Sequence, residues 1–333
     1  MRRLLGSAFG ALASVRVAAY RRGLLPRARL SSPVVSVGNL GVGGSGKTPV
    51  VARVAEILRD AGRRVAVLSR GYGGSFRGEA LVVSDGSTLL AGAAEAGDEP
   101  VMLARALPGV VVAVGTRRDV VGRAVEARFG PRVHVLDDGF QHLRLERDLD
   151  LVCLDVRDLE DRPMPAGRLR ERPSALARAD LVLLTRVEAA TEAELRTLEH
   201  RLGPDRTFRV ARRVAGWNDL DGAAAAPPAR AFLLAAIARP ERFERDVGGC
   251  GVDVVGRAWF RDHHRFRPDD IAGVAEQARA AGAEAIVTTA KDAVRLERGA
   301  FSGLPVVVLA VAAEISDEAR LRARLLSIAG RAA

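Results

Sequence analysis

Short apolar runs alternate with helix-like stripes along the first two thirds of the chain. The runs are rich in Val, Leu and Ile and have the length of buried strands. They occupy residues 34–37, 64–68, 81–83, 110–114, 133–136, 149–154 and 181–184. Apolar residues at helical spacing lie between them, at 50–58, 97–107, 118–129 and 191–202. This alternation predicts an α/β fold with a mostly parallel sheet.

A second alternating unit follows a change in composition. Residues 217–230 contain aspartates, an alanine run and two prolines, which is typical of a linker or an exposed turn. Strand-like runs then lie near 231–237, 252–255, 285–287 and 306–309, with helical stripes near 240–249, 268–281 and 315–328. We therefore predict a core domain over residues 31–222 and a smaller C-terminal α/β domain over 223–333.

The first strand leads into a glycine loop that ends in Gly-Lys-Thr. Residues 41–48 fit the phosphate-binding pattern G-x-x-x-x-G-K-[ST], with a strand before them and a helix after them. Backbone N–H groups of such a loop surround phosphates, and the helix adds the positive end of its dipole. The sequence thus predicts a P-loop NTPase domain that binds ATP through Gly41, Val42, Gly43, Gly44, Ser45, Gly46, Lys47 and Thr48.

Acidic residues at a strand end supply a candidate metal site. The apolar run at 133–136 ends in Asp137 and Asp138, as in a Walker B segment, which provides an acid to the Mg²⁺ shell. We predict that Thr48 joins them as a magnesium ligand. A further acid, Asp98 in Gly-Asp-Glu-Pro, begins a helix; it is a helix cap, a carboxylate at the rim of the site, or both.

The net charge and the cysteines indicate the kind of partner and the compartment that we expect for this protein. The 333 residues carry a net charge of +10, which indicates an anionic partner. Two distant cysteines give no metal spacing or disulfide framework, so a reducing compartment is expected. Of the 51 basic residues only Lys47 and Lys291 are lysines. Because lysine persists at so few positions, Lys291 is a further site candidate.

The segment 1–30 reads as an amphipathic membrane-associating helix. Arginines flank an apolar stripe formed by Leu4, Leu5, Phe9, Leu12 and Val15. The run is about a dozen residues, shorter than the ~20 that a spanning helix needs. An interfacial helix on an anionic membrane fits this pattern. A signal peptide and a helix packed on its own domain remain alternatives.

A histidine pair lies among aromatic residues in the second unit, in Trp-Phe-Arg-Asp-His-His-Arg-Phe at 259–266. His263 and His264 would point in opposite directions on a strand, which disfavours a shared metal. One of them, oriented by Asp262 or another acid, could assist proton transfer, although such a pair is more often structural.

These motifs together resemble the tetraacyldisaccharide 4′-kinase family, the lipid A 4′-kinases of Gram-negative bacteria. The motifs that carry the resemblance are residues 37–49, 69–73, 97–100, 137–142, 165–171, 239–243, 262–264 and 288–292. The resemblance implies phosphorylation by ATP of the 4′-hydroxyl of a tetraacyldisaccharide 1-phosphate, giving lipid IVA. It also implies a peripheral or monotopic enzyme at the cytoplasmic face of the inner membrane, which we expect to be a monomer.

The family's catalytic acid–histidine pair falls on Asp98 and His263, with the neighbouring His264 as the less favoured choice. Lys47 completes the predicted catalytic set. Departures from the family pattern are Ser45 in place of Thr, Ala290 in place of Glu, and Ala236 in place of Gly.

A set of polar residues in or near these motifs is predicted to bind the substrate. Arginines among them would pair with its 1-phosphate. The set comprises Arg70, Tyr72, Glu99, Arg117, Arg118, Gln141 and His142.

Two other classes of protein compete with the kinase. A P-loop switch or metallochaperone would hydrolyse its nucleotide without an acceptor, but the chain lacks a guanine-reading Asn-Lys-x-Asp after the strand at 181–184. A nucleic-acid-binding protein would need aromatic stacking platforms, yet only 4% of the residues are aromatic. We therefore expect no nucleic-acid partner.

Overall fold

The computed structural model describes residues 2–43, 46–297 and 299–330, and the strands within them are numbered in chain order. They are β1 Val34–Asn39, β2 Val65–Ser69, β3 Leu81–Ser84, β4 Val111–Val114, β5 Val133–Asp137, β6 Leu149–Asp155, β7 Leu181–Thr185, β8 Thr207–Asn218, β9 Arg230–Ala235, β10 Asp253–Trp259, β11 Ala285–Thr289 and β12 Val306–Ile315.

The helices alternate with these strands as the apolar stripes predict. They are α1 Arg2–Arg21, α2 Lys47–Asp60, α3 Ala93–Ala96, α4 Asp98–Ala106, α5 Arg118–Phe129, α6 Glu192–Leu202, α7 Pro240–Gly248, α8 Pro268–Ala280, α9 Ala290–Ala293 and α10 Glu318–Ala329. Four short 3₁₀ segments complete the described helical structure: Asp158–Glu160, Pro173–Arg178, Val187–Ala189 and Pro204–Arg206.

All twelve strands form one sheet, in the order β10-β9-β11-β12-β8-β7-β6-β1-β5-β2-β4-β3. The pairs β8–β12 and β3–β4 are antiparallel, and the other pairs are parallel. Strands β1, β2 and β4 to β7 are buried along their whole length. Helices on both faces of a parallel sheet bury it in this way, which explains the continuous apolar runs. The predicted mostly parallel α/β fold is confirmed.

Strand β8 is the element that the sequence pattern failed to predict. It pairs in parallel with β7 and antiparallel with β12, so the sheet continues across residue 222. A bulge between Ala310 and Val311, opposite Gly216, interrupts the β8–β12 ladder, and bulges of this kind bend and twist strands. The division into domains at residue 222 therefore remains a prediction.

The last helix also connects the two halves. Leu321 and Leu325 of α10 are buried in the same core cluster as Val54 of α2, and Arg53 of α2 forms an ion pair with Glu318. The C-terminal segment thus packs on the helix that follows the glycine loop.

The central strand β1 places the loop at the functional edge of the sheet. Its neighbours are β5 and β6, and Val37 of β1 is in register with Asp137 of β5. In parallel α/β sheets the loops at the carboxyl ends of the strands meet at one edge, where ligands bind. The glycine loop, Ser69 at the end of β2 and Asp137 at the end of β5 therefore lie at this common edge.

Candidate active site

The loop after β1 is anchored by a neighbouring segment. The backbone N–H of Val42 donates to the carbonyl of Arg168 at 2.8 Å, and Gly41 forms an isolated bridge with Leu169. Gly46 has a φ of 75°, a left-handed conformation that glycine adopts readily, and α2 begins at Lys47. Of the predicted phosphate-binding residues, Gly44 and Ser45 lie outside the described residues.

Lys47 is held in place by two acceptors. Its Nζ donates to Asn39 Oδ1 at 3.0 Å and to Asp138 Oδ1 at 2.5 Å. An ammonium has three N–H donors, so one donor of Lys47 has no protein partner within the described part of the chain. The side chain is therefore fixed at the start of α2 with a donor available for a phosphate oxygen.

Asp138 carries two positive partners. Its Oδ2 accepts a hydrogen bond from Arg170 at 2.7 Å, in addition to the contact with Lys47. Burial on its own would raise the pKa of Asp138, but the charges of Lys47 and Arg170 outweigh burial and hold that pKa below its ordinary value. Asp138 is therefore a charged anchor for Lys47 and Arg170.

Asp137 has a different environment. It is 2% exposed, and its Oδ2 accepts a hydrogen bond from Ser69 at 2.8 Å. Burial, followed by the negative charge of Glu99, raises the pKa of Asp137 to about 6. The charge of Lys47 offsets these two effects only in part, and a divalent cation would add the positive charge that favours the ionised form.

The donor set fits Mg²⁺ bound together with a nucleotide. No group of three or more His, Cys, Asp or Glu residues within residues 2–43, 46–297 and 299–330 could hold a metal ion on its own. Mg²⁺ usually binds through one or two carboxylates, phosphate oxygens and water, so an all-protein cage is not required. Thr48 lies in the first turn of α2. The roles of Thr48, Asp137 and Asp138 as metal ligands remain predictions.

Asp98 and His263 are in contact although 165 residues separate them in sequence. His263 Nδ1 lies 3.1 Å from Asp98 Oδ2, and Arg295 Nε lies 3.6 Å from the same oxygen. The N-cap of α4 is Gly97, and Asp98 is the first helical residue. The expectation that Asp98 caps the helix is therefore wrong, because its carboxylate faces His263 and Arg295.

Gly97 makes this position of Asp98 possible. Its φ is 92°, and a Cβ at this residue would lie 2.4 Å from the carbonyl oxygen of Tyr72. Only glycine combines such a backbone angle with so close an approach of another backbone. The Tyr72 ring in turn packs edge-on against His263, with 6.1 Å between the ring centroids.

The two adjacent histidines have separate environments. His263 has a φ of 62° and faces Asp98. His264 Nε2 lies 2.8 Å from Asp270 Oδ2, and its ring stacks on Phe260. His264 thus belongs to a local cluster at the start of α8, whereas His263 reaches the carboxylate at the start of α4.

Lys291, the second lysine, lies beside His263. Its Nζ is 3.1 Å from His263 Nε2 and donates to Asp262 Oδ1 at 2.9 Å. Asp262 Oδ1 is 3.9 Å from His263 Nε2, beyond hydrogen-bond distance. The acid that contacts the histidine directly is therefore Asp98, and Asp262 pairs with the lysine.

The predicted substrate-binding arginines lie near the acids at the end of β5. Arg118 is 5% exposed, and burial lowers its pKa while the charges of Asp137 and Asp138 partly oppose that shift. Arg70 is exposed and adds positive charge next to Arg118. Arg117 pairs with Asp119 at 3.0 Å. The negative charge of Glu99 contributes to the raised pKa of Asp137. Their contacts with a substrate remain predictions.

Gln141 and His142 face the protein interior. Gln141 Nε2 donates to the carbonyl of Asn39 at 2.9 Å and to Glu171 Oε1 at 3.0 Å, which ties it to the base of the loop. Burial, together with the charge of Arg118, lowers the pKa of His142 to about 4. Gln141 thus supports the loop; the predicted role of both residues in substrate binding is not tested by these contacts.

Two arginines of this site were missed in the sequence analysis. Arg170 lies in the quoted motif at 165–171, yet its partner Asp138 could not be inferred from spacing. Arg295 follows Lys291 by four residues, a helical spacing, and its side chain pairs with Asp292 and approaches Asp98. Their long-range partners become visible only in the folded chain.

Helix α1 presents apolar side chains outward. Leu12 is 69% exposed and Val15 is 64% exposed. The opposite side of the helix, including Ser14 and Val17, lines a groove of about 130 Å³ against the 3₁₀ segment that contains Ala175. Among the described residues, no helix is long and apolar enough to cross a membrane.

Comparison with known proteins gives a consistent result. The sequence model of a family described as tetraacyldisaccharide-1-P 4′-kinase matches residues 2–329. A tetraacyldisaccharide 4′-kinase of Anaeromyxobacter dehalogenans is 47% identical over 300 residues, covering 87% of this chain and 79% of that protein. The enzyme of the same name from Geobacter metallireducens is 44% identical over 289 residues, covering 85% and 84%.

A solved structure extends this similarity to the fold. The crystal structure of LpxK from Aquifex aeolicus in complex with ATP superposes with a TM-score of 0.80 at 31% sequence identity. The match covers 97% of this chain and 96% of the other.

Proposed function

The chain belongs to the tetraacyldisaccharide-1-phosphate 4′-kinase family, and on that premise we propose how its residues perform the reaction. The activity is the transfer of the γ-phosphate of ATP to the 4′-hydroxyl of a tetraacyldisaccharide 1-phosphate, a step of lipid A biosynthesis. The residue roles that follow are our assignments, and the contact between Asp98 and His263 is the observation that carries them.

The nucleotide end of the site is the loop and the start of α2. Backbone N–H groups at the helix N-terminus bind the triphosphate, and the remaining donor of Lys47 reaches a phosphate oxygen. Asn39 and Asp138 keep the Lys47 ammonium in place while the triphosphate binds. Because the lysine is held before the nucleotide binds, little of its side-chain entropy is lost on binding.

Thr48 and Asp137 would hold Mg²⁺ beside the phosphates, with Asp138 close by as the anchor of Lys47. When bound, the ion neutralises charge on the β- and γ-phosphate oxygens. Its charge would also stabilise the ionised form of Asp137, which burial and Glu99 disfavour in the protein alone.

At the acceptor end, Asp98 accepts the proton of the 4′-hydroxyl. A bond forms between the 4′-oxygen and the γ-phosphorus, and the bond from that phosphorus to the bridging oxygen of ADP breaks. The proton moves to the carboxylate of Asp98, which His263 orients through its Nδ1 atom. Arg295 contributes positive charge 3.6 Å from the Asp98 oxygen that faces His263.

The test is ATP-dependent phosphorylation of the acylated disaccharide 1-phosphate in detergent micelles. Substitution Asp98→Asn keeps the size of the side chain and removes the base, so we expect kcat to fall about 10²- to 10⁴-fold. Glu95→Gln is the matched control, because Glu95 is an exposed acid three residues away. Unchanged turnover by Asp98→Asn would show that this carboxylate is not the base.

We further propose that α1 holds the enzyme on an anionic membrane surface at the cytoplasmic face, where an acylated substrate and ATP can meet. Its exposed Leu12 and Val15, together with the net charge of +10, support this placement. Leu12→Glu should weaken sedimentation with vesicles containing phosphatidylglycerol. Leu89→Glu is the control, since Leu89 is an exposed leucine on the β3–α3 loop, outside α1. Equal sedimentation of the two variants would refute this role of α1.

A further inference from the structure

Lys291 contacts the histidine of the proposed catalytic pair on the side opposite Asp98. The Lys291 ammonium lies 3.1 Å from His263 Nε2, and His263 Nδ1 lies 3.1 Å from Asp98 Oδ2. The side chain of Lys291 is 19% exposed and that of His263 is 39% exposed, so the contact is partly open to solvent. Lys291, His263 and Asp98 therefore form a continuous chain of polar contacts.

The chemistry of an ammonium determines the direction of these contacts. Lysine has three N–H donors and no acceptor, so His263 Nε2 must accept and carries no proton. In a neutral imidazole the single ring proton then lies on Nδ1. Nδ1 faces the carboxylate of Asp98, which is an acceptor, so both contacts are satisfied by one tautomer only.

The other tautomer would be unfavourable at both ends. With the proton on Nε2, an N–H group would face the ammonium of Lys291, and the lone pair of Nδ1 would face the carboxylate of Asp98. The positioned acid would then lose its hydrogen bond from His263. Lysine at residue 291 thus selects the ring form that can orient Asp98.

We propose that Lys291 is a positioning residue for the phosphoryl transfer: it fixes the Nδ1–H tautomer of His263 and so orients the carboxylate of Asp98. Asp262, 2.9 Å from the ammonium, is its counter-ion and keeps the lysine charge beside the ring. The inference rests on the proposed function, because it assumes that Asp98 accepts the hydroxyl proton.

The arrangement also assigns the two oxygens of Asp98 to different tasks. Both His263 and Arg295 approach Oδ2. Within the described part of the chain, no hydrogen bond reaches Asp98 Oδ1. That oxygen is therefore the one available to accept the proton of the sugar hydroxyl.

Nitrogen-15 NMR of the full-length protein labelled on histidine tests the tautomer directly. The chain has five histidines, and a His263→Asn variant identifies the signals of His263. We expect Nδ1 to give a protonated-nitrogen signal and Nε2 an unprotonated one in the wild-type protein. In Lys291→Met, which keeps the length of the side chain without donors, we expect the Nε2–H form to become populated.

Kinetics provide the second measurement. Lys291→Met should lower kcat about 10- to 100-fold, a part of the general-base contribution, while the KM values for ATP and the lipid stay within about twofold. Lys291→Arg retains a donor-only cation and should keep the Nδ1–H form. Arg265→Met is the control: it removes an exposed positive charge from the loop that carries His263, between β10 and α8, and should alter neither the tautomer nor kcat.

The outcomes separate this inference from the proposed function. An Nε2–H tautomer in the wild-type protein, or an unchanged tautomer in Lys291→Met, would overturn the role of Lys291 even if Asp98→Asn is inactive. If Asp98→Asn is fully active, the assignment of the base fails whatever the tautomer is. The wild-type tautomer is measured without Lys291→Met, so a folding defect in that variant would not prevent the test.

Discussion

Replacing Asp137 by Asn should stabilise the ligand-free enzyme near neutral pH while it abolishes phosphoryl transfer. The pKa of Asp137 rises from an ordinary 3.8 to about 6 in the folded protein, because the carboxyl is buried and the negative charge of Glu99 acts on it. An asparagine keeps the shape of the side chain and never ionises. The substitution therefore removes a charge that folding disfavours but that the proposed metal site needs.

The size and sign of the effect follow from proton linkage. Between pH 4 and pH 6 the folded state binds the Asp137 proton and the unfolded state has lost it, so the free energy of unfolding decreases as pH rises. A shift of about two pKa units corresponds to about 3 kcal/mol. At pH 4 the unfolded state is still partly protonated, so the unfolding free energy of Asp137→Asn, minus that of the wild type, should increase by about 2.4 kcal/mol from pH 4 to pH 7.

Urea unfolding of both proteins at several pH values measures this difference without ligand. Only the pH-dependent part of the stability difference reports the titration of Asp137. The altered hydrogen bond with Ser69 changes the stability by the same amount at every pH. Asp85→Asn is a control that should show almost no pH dependence over this range, since backbone N–H donors of Thr88 and Ser87 hold the pKa of Asp85 below its ordinary value. Saturating ATP and magnesium should stabilise the wild type more than Asp137→Asn, which keeps the loop and Lys47 but loses the proposed metal ligand.

Two results would refute the reasoning. A stability difference between Asp137→Asn and the wild type that is constant from pH 4 to pH 7 would show that Asp137 titrates normally in the folded protein. Stabilisation of Asp137→Asn by ATP and magnesium equal to that of the wild type would show that this carboxylate does not hold the ion.

Further predictions concern residues around the site. Gly97→Ala should destabilise the fold by about 2–3 kcal/mol in urea unfolding, because the residue has a φ of 92° and its Cβ would lie 2.4 Å from the Tyr72 oxygen. His264→Asn should lower stability by about 1 kcal/mol through loss of its partly buried hydrogen bond with Asp270, with kcat within about twofold of the wild type. An aromatic disulfide reagent should react with the exposed Cys250 in the native protein and with Cys153 only after unfolding, because burial raises the pKa of Cys153 to about 12.

The parts of the fold that the sequence predicts are those in which burial is complete. Strands such as β1 and β6 lie between two layers of helices, so their apolar runs are continuous and easy to recognise. Strand β8 has buried Phe208 and Val210 alternating with partly exposed residues, several of them arginines. Its period of two was obscured by the abundance of arginine, which explains why the region was assigned to the end of one domain and a linker.

The site also contains residues that local sequence patterns predict and residues that they do not. Lys47 and Asp137 are predicted by local patterns, because a glycine loop before a helix and a strand that ends in acids each fix the position of their functional side chains. The pair Asp98 and His263 required family resemblance, because nothing local connects residues 165 positions apart. Arg295 has no local pattern that indicates its partner. Contacts of this kind depend on how α4 and α9 pack, which no spacing rule predicts.

The scarcity of lysine was the composition signal that pointed most directly at the site, and the structure gives a physical reason for it. At Lys47 a single nitrogen reaches Asn39 and Asp138 and keeps a third donor for phosphate. At Lys291 a single nitrogen reaches Asp262 and the Nε2 atom of His263. A guanidinium places its donors in a rigid planar fork and suits carboxylates in pairs, whereas an ammonium is a point donor on which acceptors can converge from several directions. In a chain whose other basic residues are all arginines, lysine therefore remains where one cation must serve several converging acceptors.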